Sequence, residues 1–223
     1  MIDWEPLWLS FGVATVATLI AAVMGVVLGG LLATTRWPGR DVIDVLVTAP
    51  MVLPPTVLGY YVLVVLGRES AMGRAYEALT GSSLVFTRSG AVLAALLGAL
   101  PYVVKSARAA MEEVDPRLVD AARTLGASRL GAFLTITLPL SRTGILAGLT
   151  VGFARALGDF GVTLMVAGNI PGLTRTASLA IYDAVQANRD SEAHGMVAVL
   201  TALAVVALYT ANVLARRRAR DGR

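Results

Sequence analysis

Residues 119–140 read VDAARTLGASRLGAFLTITLPL. Small and polar residues fill the first half, and long apolar runs bracket the whole stretch. Just upstream, Asp115 and Pro116 make a helix start: Asp accepts from free N–H groups, and Pro fits the first helical turn. Leu118, Ala121, Ala122 and Leu125 then fall on one helix face, flanked by Arg117, Asp120 and Arg123. Gly126 is placed to end that helix in a left-handed turn. Ser128 is placed to cap a second short helix over 129–136, and Pro139 leads into the next apolar run. The segment 112–140 is therefore expected to be a compact helix–turn–helix with a shallow alanine face. Such a face either receives another protein or folds back on its own chain, and the residues alone leave both open.

Working outward, the chain has 223 residues, is 56% hydrophobic and has a mean hydropathy of +0.71. Soluble domains run nearer ~45–50% apolar. Apolar runs of about 20 residues, the length needed to cross a bilayer as a helix, recur. They are continuous, not alternating, which argues for helices and against a barrel. The expectation is an all-α, polytopic membrane protein made of one domain, 1–223, with about five spans near 8–34, 42–66, 89–111, 141–167 and 194–215. Asp3 and Glu5, with no Lys or Arg, precede the first run, unlike a cleaved export signal.

Basic residues set the orientation. Arg36, Arg40, Lys105, Arg108, Arg117, Arg123, Arg129, Arg142 and the arginines within 216–223 would share one side. Arg68, Arg74, Arg88, Arg175 and Arg189 would lie on the other. This predicts the N-terminus outside, the C-terminus inside, and the 112–140 insert in the cytoplasm. The basic C-terminus would anchor the last helix and attract anionic lipid. In a membrane chain, the net charge of +4 records topology and does not call for a nucleic-acid partner. The outer loops, about 67–88 and 168–193, are expected to be short ordered connectors.

Several chemistries are excluded or disfavoured. There is no cysteine, hence no disulfide or thiolate chemistry, and the single histidine, His194, is expected at the surface of a helix entrance. No metal site or cofactor is expected. The only lysine, Lys105, follows Val104, so no phosphate-binding P-loop is present. If ATP drives this protein, another chain binds it.

Glycines and prolines mark the span packing. Gly25 and Gly29, and Gly144, Gly148 and Gly152, recur every fourth residue and allow close helix approach, first of all within the chain. Pro50, Pro54 and Pro55 in the second span, and Pro101 in the third, are expected to bend or break helices. Arg155 and Asp159, four apart, share a face deep in the fourth span, where charge requires a partner or water. They either fix helix packing or line a pathway. Thr56 and Thr163, with the backbone around Pro54 and Pro55, are further pathway or gate candidates, though Thr56 can equally bond within its own helix.

The insert resembles a motif of permease subunits of ABC importers: E-A-A, three residues, G, nine residues, I-x-L-P. Here Asp120, Ala121 and Ala122 are followed by Gly126 and by Ile136, Leu138 and Pro139 at that spacing, with Asp120 replacing the glutamate. The resemblance implies a type I ABC importer permease fold whose cytoplasmic coupling helix docks on a separate ATPase subunit through these residues and Leu125. A motor with two ATPases needs two such elements, so a homodimer is expected. MVLPPTVLGYYVL at 51–63 and RALGDFGVTLMVAGNIPG at 155–172, continuing through LTRTASLAIYDAV, resemble the molybdate permease branch. That implies a tetrahedral oxyanion, delivered by an extracytoplasmic binding protein across the cell's inner membrane. Sulfate, thiosulfate or tungstate permeases of the same family are alternatives, and an intramembrane enzyme is an alternative of another class.

Overall fold

The computed structural model describes residues 3–35 and 37–221, with side chains through residue 213. The described residues form helices and connectors, without strands. Arg36 and the side chains of the basic C-terminal arginines lie outside the described residues, so the expected anchoring role of 216–223 does too.

The helices are α1 (Glu5–Thr34), α2 (Arg40–Val52), α3 (Pro55–Leu66), α4 (Ala71–Thr80), α5 (Arg88–Glu112), α6 (Pro116–Thr124), α7 (Arg129–Ala132), α8 (Leu138–Leu157), α9 (Gly161–Ala167), α10 (Ala177–Gln186) and α11 (Asp190–Asp221). Four continuous stretches are long and apolar enough to cross a membrane: Glu5–Thr34, Arg88–Glu112, Arg129–Leu157 and Asp190–Val213. At ~1.5 Å per residue each exceeds a hydrocarbon core of about 30 Å. Local chemistry starts them: the Thr87 hydroxyl accepts from Gly90 N–H at 3.3 Å, and Pro6 occupies the first turn of α1.

The bundle is built on α1, α5 and α8. Lipid is as apolar as leucine, so packing there depends on close contact between small residues. Ala14, Ala17, Ala21, Ala91, Ala95 and Ala99 are buried to within one per cent. A Cβ on Gly25 would sit 2.6 Å from Val103 Cγ1, and one on Gly29 2.9 Å from Ala107 Cβ. On the other flank of α5, a Cβ on Gly148 would meet Ser106 Cβ at 2.3 Å, and one on Gly152 would meet Val103 Cγ2 at 2.8 Å. The glycine faces therefore pack within the chain. A second cluster joins α10 and α11 to the start of α1 through Leu7, Ala184, Ala193 and Met196. There the N–H of Ala177 donates to Ser10 Oγ at 2.7 Å.

The helix boundaries meet one expectation, a break at the paired prolines of the second span, and correct two others. The second span is two helices, α2 and α3, parted at Leu53 and Pro54, because Pro54 and Pro55 together remove consecutive backbone donors. The fourth span is also two helices, α8 and α9, parted at 158–160. The segment 129–136 is not a separate helix. After α7 the chain widens into a π-turn, Phe133–Thr137, and continues directly into α8. Pro139 cannot donate to the preceding turn, and the wide turn accommodates its ring. Finally, Pro50 and Pro101 sit inside α2 and α5 without breaking either. The connectors expected on the outer side are ordered, by α4 and α10, and His194 is exposed near the start of α11.

Candidate coupling surface and polar seam

At one end of the bundle α6 stands clear of the body. The Asp115 carboxylate accepts from Arg117 N–H at 2.9 Å and starts the helix. Gly126, at φ +94°, ends it in the left-handed conformation. The N–H of Ala127 reaches back to Ala122 O at 3.1 Å, and Ser128 caps α7 by accepting from Gly131 N–H at 3.0 Å. No residue of α6 is buried. Leu118, Leu130 and Leu134 are exposed, and Leu125 is 89% exposed. α6 is therefore not folded back against the bundle.

The predicted coupling residues divide into two groups. Asp120, Ala121, Leu125 and Gly126 are exposed and Ala122 is half-buried, all on or beside α6. Ile136 and Leu138 are half-buried, and Leu138 packs with Phe133, Val26 and Leu149 against the cluster of Ala107, Met111 and Ile145. Pro139 is exposed. Phe133 also lies on α1, since a Cβ on Gly30 would sit 3.0 Å from its ring. The first half of the motif is thus a displayed knob, and the second half seats that knob on the bundle. Through the π-turn α7 is continuous with α8, and the turn at 125–128 links α6 to it.

A charged clamp lies at the same end, and sequence reading missed it. Asp44 of α2 accepts from Lys105 Nζ at 2.9 and 3.0 Å and pairs with Arg108 at 3.1 Å. Glu112 pairs with Arg108 at 2.8 Å and Arg40 at 3.0 Å. No residue of α2 is fully buried, and this clamp ties it to α5. The available signal was an acid, Asp44, within an apolar run, which calls for a cation on a neighbouring span.

The second site lies at the two helix breaks. Asp159 is buried, with 1% of its side chain exposed, whereas Arg155, at the end of α8, is 32% exposed. Arg155 Nη1 meets Asp159 Oδ1 at 3.2 Å. Asp159 Oδ2 accepts from the Thr163 N–H at 2.9 Å and the Thr163 hydroxyl at 2.7 Å, which satisfies one free N–H in the first turn of α9. The guanidinium lies across Gly98 of α5, where a Cβ would come within 3.5 Å of it. Both carboxylate oxygens are satisfied, as a buried charge requires. The pair therefore shapes the break between α8 and α9.

The other pathway candidates lie alongside. A Cβ on Gly161 would sit 2.7 Å from Pro55 Cβ, and one on Gly59 would sit 2.6 Å from Met165 Cβ. The two helix breaks are therefore in contact with each other. Pro54, Pro55 and Thr56, at the start of α3, are exposed, and Thr56 makes no side-chain hydrogen bond among the described residues. Arg155, Asp159 and Thr163 form one bonded set, and Pro55 meets Gly161 of the same break.

Apolar helices long enough to cross a membrane, two interrupted spans that meet, and a helical knob displayed at one end define the permease fold of type I ABC importers. Residues 25–220 match the family described as "Binding-protein-dependent transport system inner membrane component", and the chain belongs to that family. It is 40% identical over 223 residues to the molybdenum transport system permease protein ModB of Escherichia coli K12, covering 99% of this chain and 97% of that protein. The ModB of Azotobacter vinelandii is 36% identical, with 94% of each chain covered. The sulfate transport system permease protein CysT of Salmonella typhimurium is 31% identical, covering 92% of this chain and 73% of that one. Among solved structures, an inward-facing MetNI methionine ABC transporter matches with a TM-score of 0.73 at 16% identity, over 96% of this chain and 94% of its own. A bacterial alginate ABC importer matches with a TM-score of 0.75 at 17% identity, over 96% and 78%.

Proposed function

We propose that this chain is the membrane-spanning permease subunit of an ATP-driven molybdate importer of the inner membrane. The observation that carries this is the 40% identity to a molybdenum permease along nearly the whole of both chains. Membership in a family of transport components sets the intramembrane enzyme aside. The N-terminus faces out and the C-terminus in, so α6 lies in the cytoplasm. There Asp120, Ala121, Ala122, Leu125 and Gly126 meet an ATPase carried on a separate chain. One chain displays one knob, so two copies pair to match two ATPases. An extracytoplasmic binding protein delivers the oxyanion at the other end.

The geometry supports a mechanical route. Movement of α6 passes through the π-turn into α8 and arrives at the break beside Arg155. The seam there, with Pro54, Pro55, Thr56 and Thr163, borders the pathway. Arg155 offers partial positive charge to a passing oxyanion, while Asp159 beneath it offsets that charge. A pathway needs such a shallow site, since a tight one would hold its cargo.

The test is uptake into proteoliposomes holding this chain with its ATPase and binding protein. Labelled molybdate enters only with ATP, tungstate competes, and excess sulfate does not. Preferred uptake of sulfate assigns the chain to the sulfate branch. Coupled uptake by this chain alone removes the external motor.

A further inference from the structure

We propose that the end of the bundle opposite α6 carries a binding site for one amine-bearing phospholipid, seated in a groove between α1 and α5. A cavity of about 570 Å³ lies there, within the size range of ligand pockets, about 300–1,000 Å³. Its wall is apolar along α1, from Leu9 to Val16, and along α5 at Val92, and its mouth holds Asp3, Glu5 and Arg88. From Glu5 to Val16 the groove runs eleven residues, or about 16 Å at the helical rise. That is about half of a 30 Å hydrocarbon core, the depth of one leaflet. Trp8, 71% exposed at the upper edge, is the kind of aromatic residue that marks the level of the headgroups.

The floor and the mouth both point to a lipid. The floor is open at Gly12, where an added Cβ would meet no atom within 4 Å. An acyl chain fits along that strip. At the mouth, Arg88 donates from Nη2 to Gly172 O at 3.0 Å and from Nε to Leu173 O at 3.3 Å, yet makes no ion pair among the described residues. Glu5 Oε1 lies beside the same glycine, 3.3 Å from where its Cβ would be, and is likewise unpaired. The second arginine at the mouth is already neutralised, because Arg175 pairs with Asp183 at 3.1 Å. Among the described residues, a cation and a carboxylate without ion-pair partners thus flank Gly172 without meeting each other. A zwitterionic headgroup supplies both partners, phosphate for Arg88 and ammonium for Glu5. A headgroup with only negative charge leaves Glu5 repelled, and a trimethylated amine cannot donate to it.

Native mass spectrometry of the purified protein, equilibrated with phosphatidylethanolamine, phosphatidylglycerol and phosphatidylcholine, tests this. One phosphatidylethanolamine is expected per chain, favoured over phosphatidylcholine by about tenfold, the least that one charge-assisted hydrogen bond provides. Glu5→Gln should erase that preference while lipid is still retained. Gly12→Phe should fill the groove and abolish retention while the protein stays monodisperse, since a Cβ at that position meets no atom within 4 Å. Equal retention of the three lipids, or undiminished retention by Gly12→Phe, overturns the proposal. So does a disulfide-linked dimer of Gly12→Cys in native membranes, which would place a second copy over the groove. The chain has no cysteine of its own to confuse that result.

Discussion

Removing Arg155 should be partly cured by also neutralising Asp159. The Asp159 carboxylate is 1% exposed and depends on Arg155 and Thr163 for its three hydrogen bonds. Stranding one member of a fully buried pair costs about 3–5 kcal/mol. Arg155 is one-third exposed and Thr163 keeps its two bonds to the carboxylate, so Arg155→Ala should cost about 2 kcal/mol. For a chain of this size that is a fall in melting temperature of about 4–8 °C. Asp159→Asn on that background removes the stranded charge, while its amide oxygen still accepts from both Thr163 donors. About 1 kcal/mol should return, or roughly 2–4 °C. Asp159→Asn alone should instead destabilise, because its amide N–H₂ then faces the guanidinium or Thr163. Thermal unfolding of the four purified proteins in one detergent gives the cycle. If the two substitutions add within about 0.5 kcal/mol, the carboxylate and guanidinium are independent, and the account of the α8–α9 break is wrong.

Two further substitutions test the knob and the scaffold. Gly126→Val puts a branched side chain at φ +94°, at a strain of about 1–3 kcal/mol, where an added Cβ meets no atom within 4 Å. The bundle should stay folded and the assembled complex should still hydrolyse ATP, but uptake per ATP should collapse; normal uptake would count against α6 as the driven element. Gly148→Leu forces atoms 2.3 Å from Ser106 Cβ and must push α8 away from α5, so monodisperse protein should be lost. Gly158→Ala, whose added Cβ meets only Ala154 O at 3.6 Å, should be tolerated in the same size-exclusion assay.

The parts of this architecture visible in the sequence are those governed by local chemistry. Asp115, Gly126 and Ser128 each act within a few residues, and the structure has α6, its left-handed end and the following cap where they place them. The four-residue glycine spacing led to close packing, and α5 is what fills it. Arg155 and Asp159 were legible as a pair because a helix brings residues four apart together. The break after Leu157 was not legible. Apolar residues resume at Phe160 and Val162, and glycines such as Gly158 and Gly161 inside a membrane helix do not by themselves end it. Asp159 satisfies a free N–H in the first turn of α9, a role visible only once Thr163 is placed. The π-turn was hidden for a similar reason, since Pro139 permits either a stop or a wider turn. The clamp between α2 and α5 joins residues more than sixty positions apart, beyond any local pattern.

The meeting of the two interrupted spans has a consequence for motion. Flexing an intact helix within lipid exposes N–H and C=O groups that no water can satisfy, at several kcal/mol per group. At Leu53–Pro54 and around Asp159 those ladders are already open when the chain folds. The protein therefore carries a ready-made joint at which α3 and α9 can change angle without tearing backbone bonds. The alanine- and glycine-lined contact of α1, α5 and α8 has no such slack, so a stroke delivered to one end should leave that trio unbent and appear as rotation at the joint.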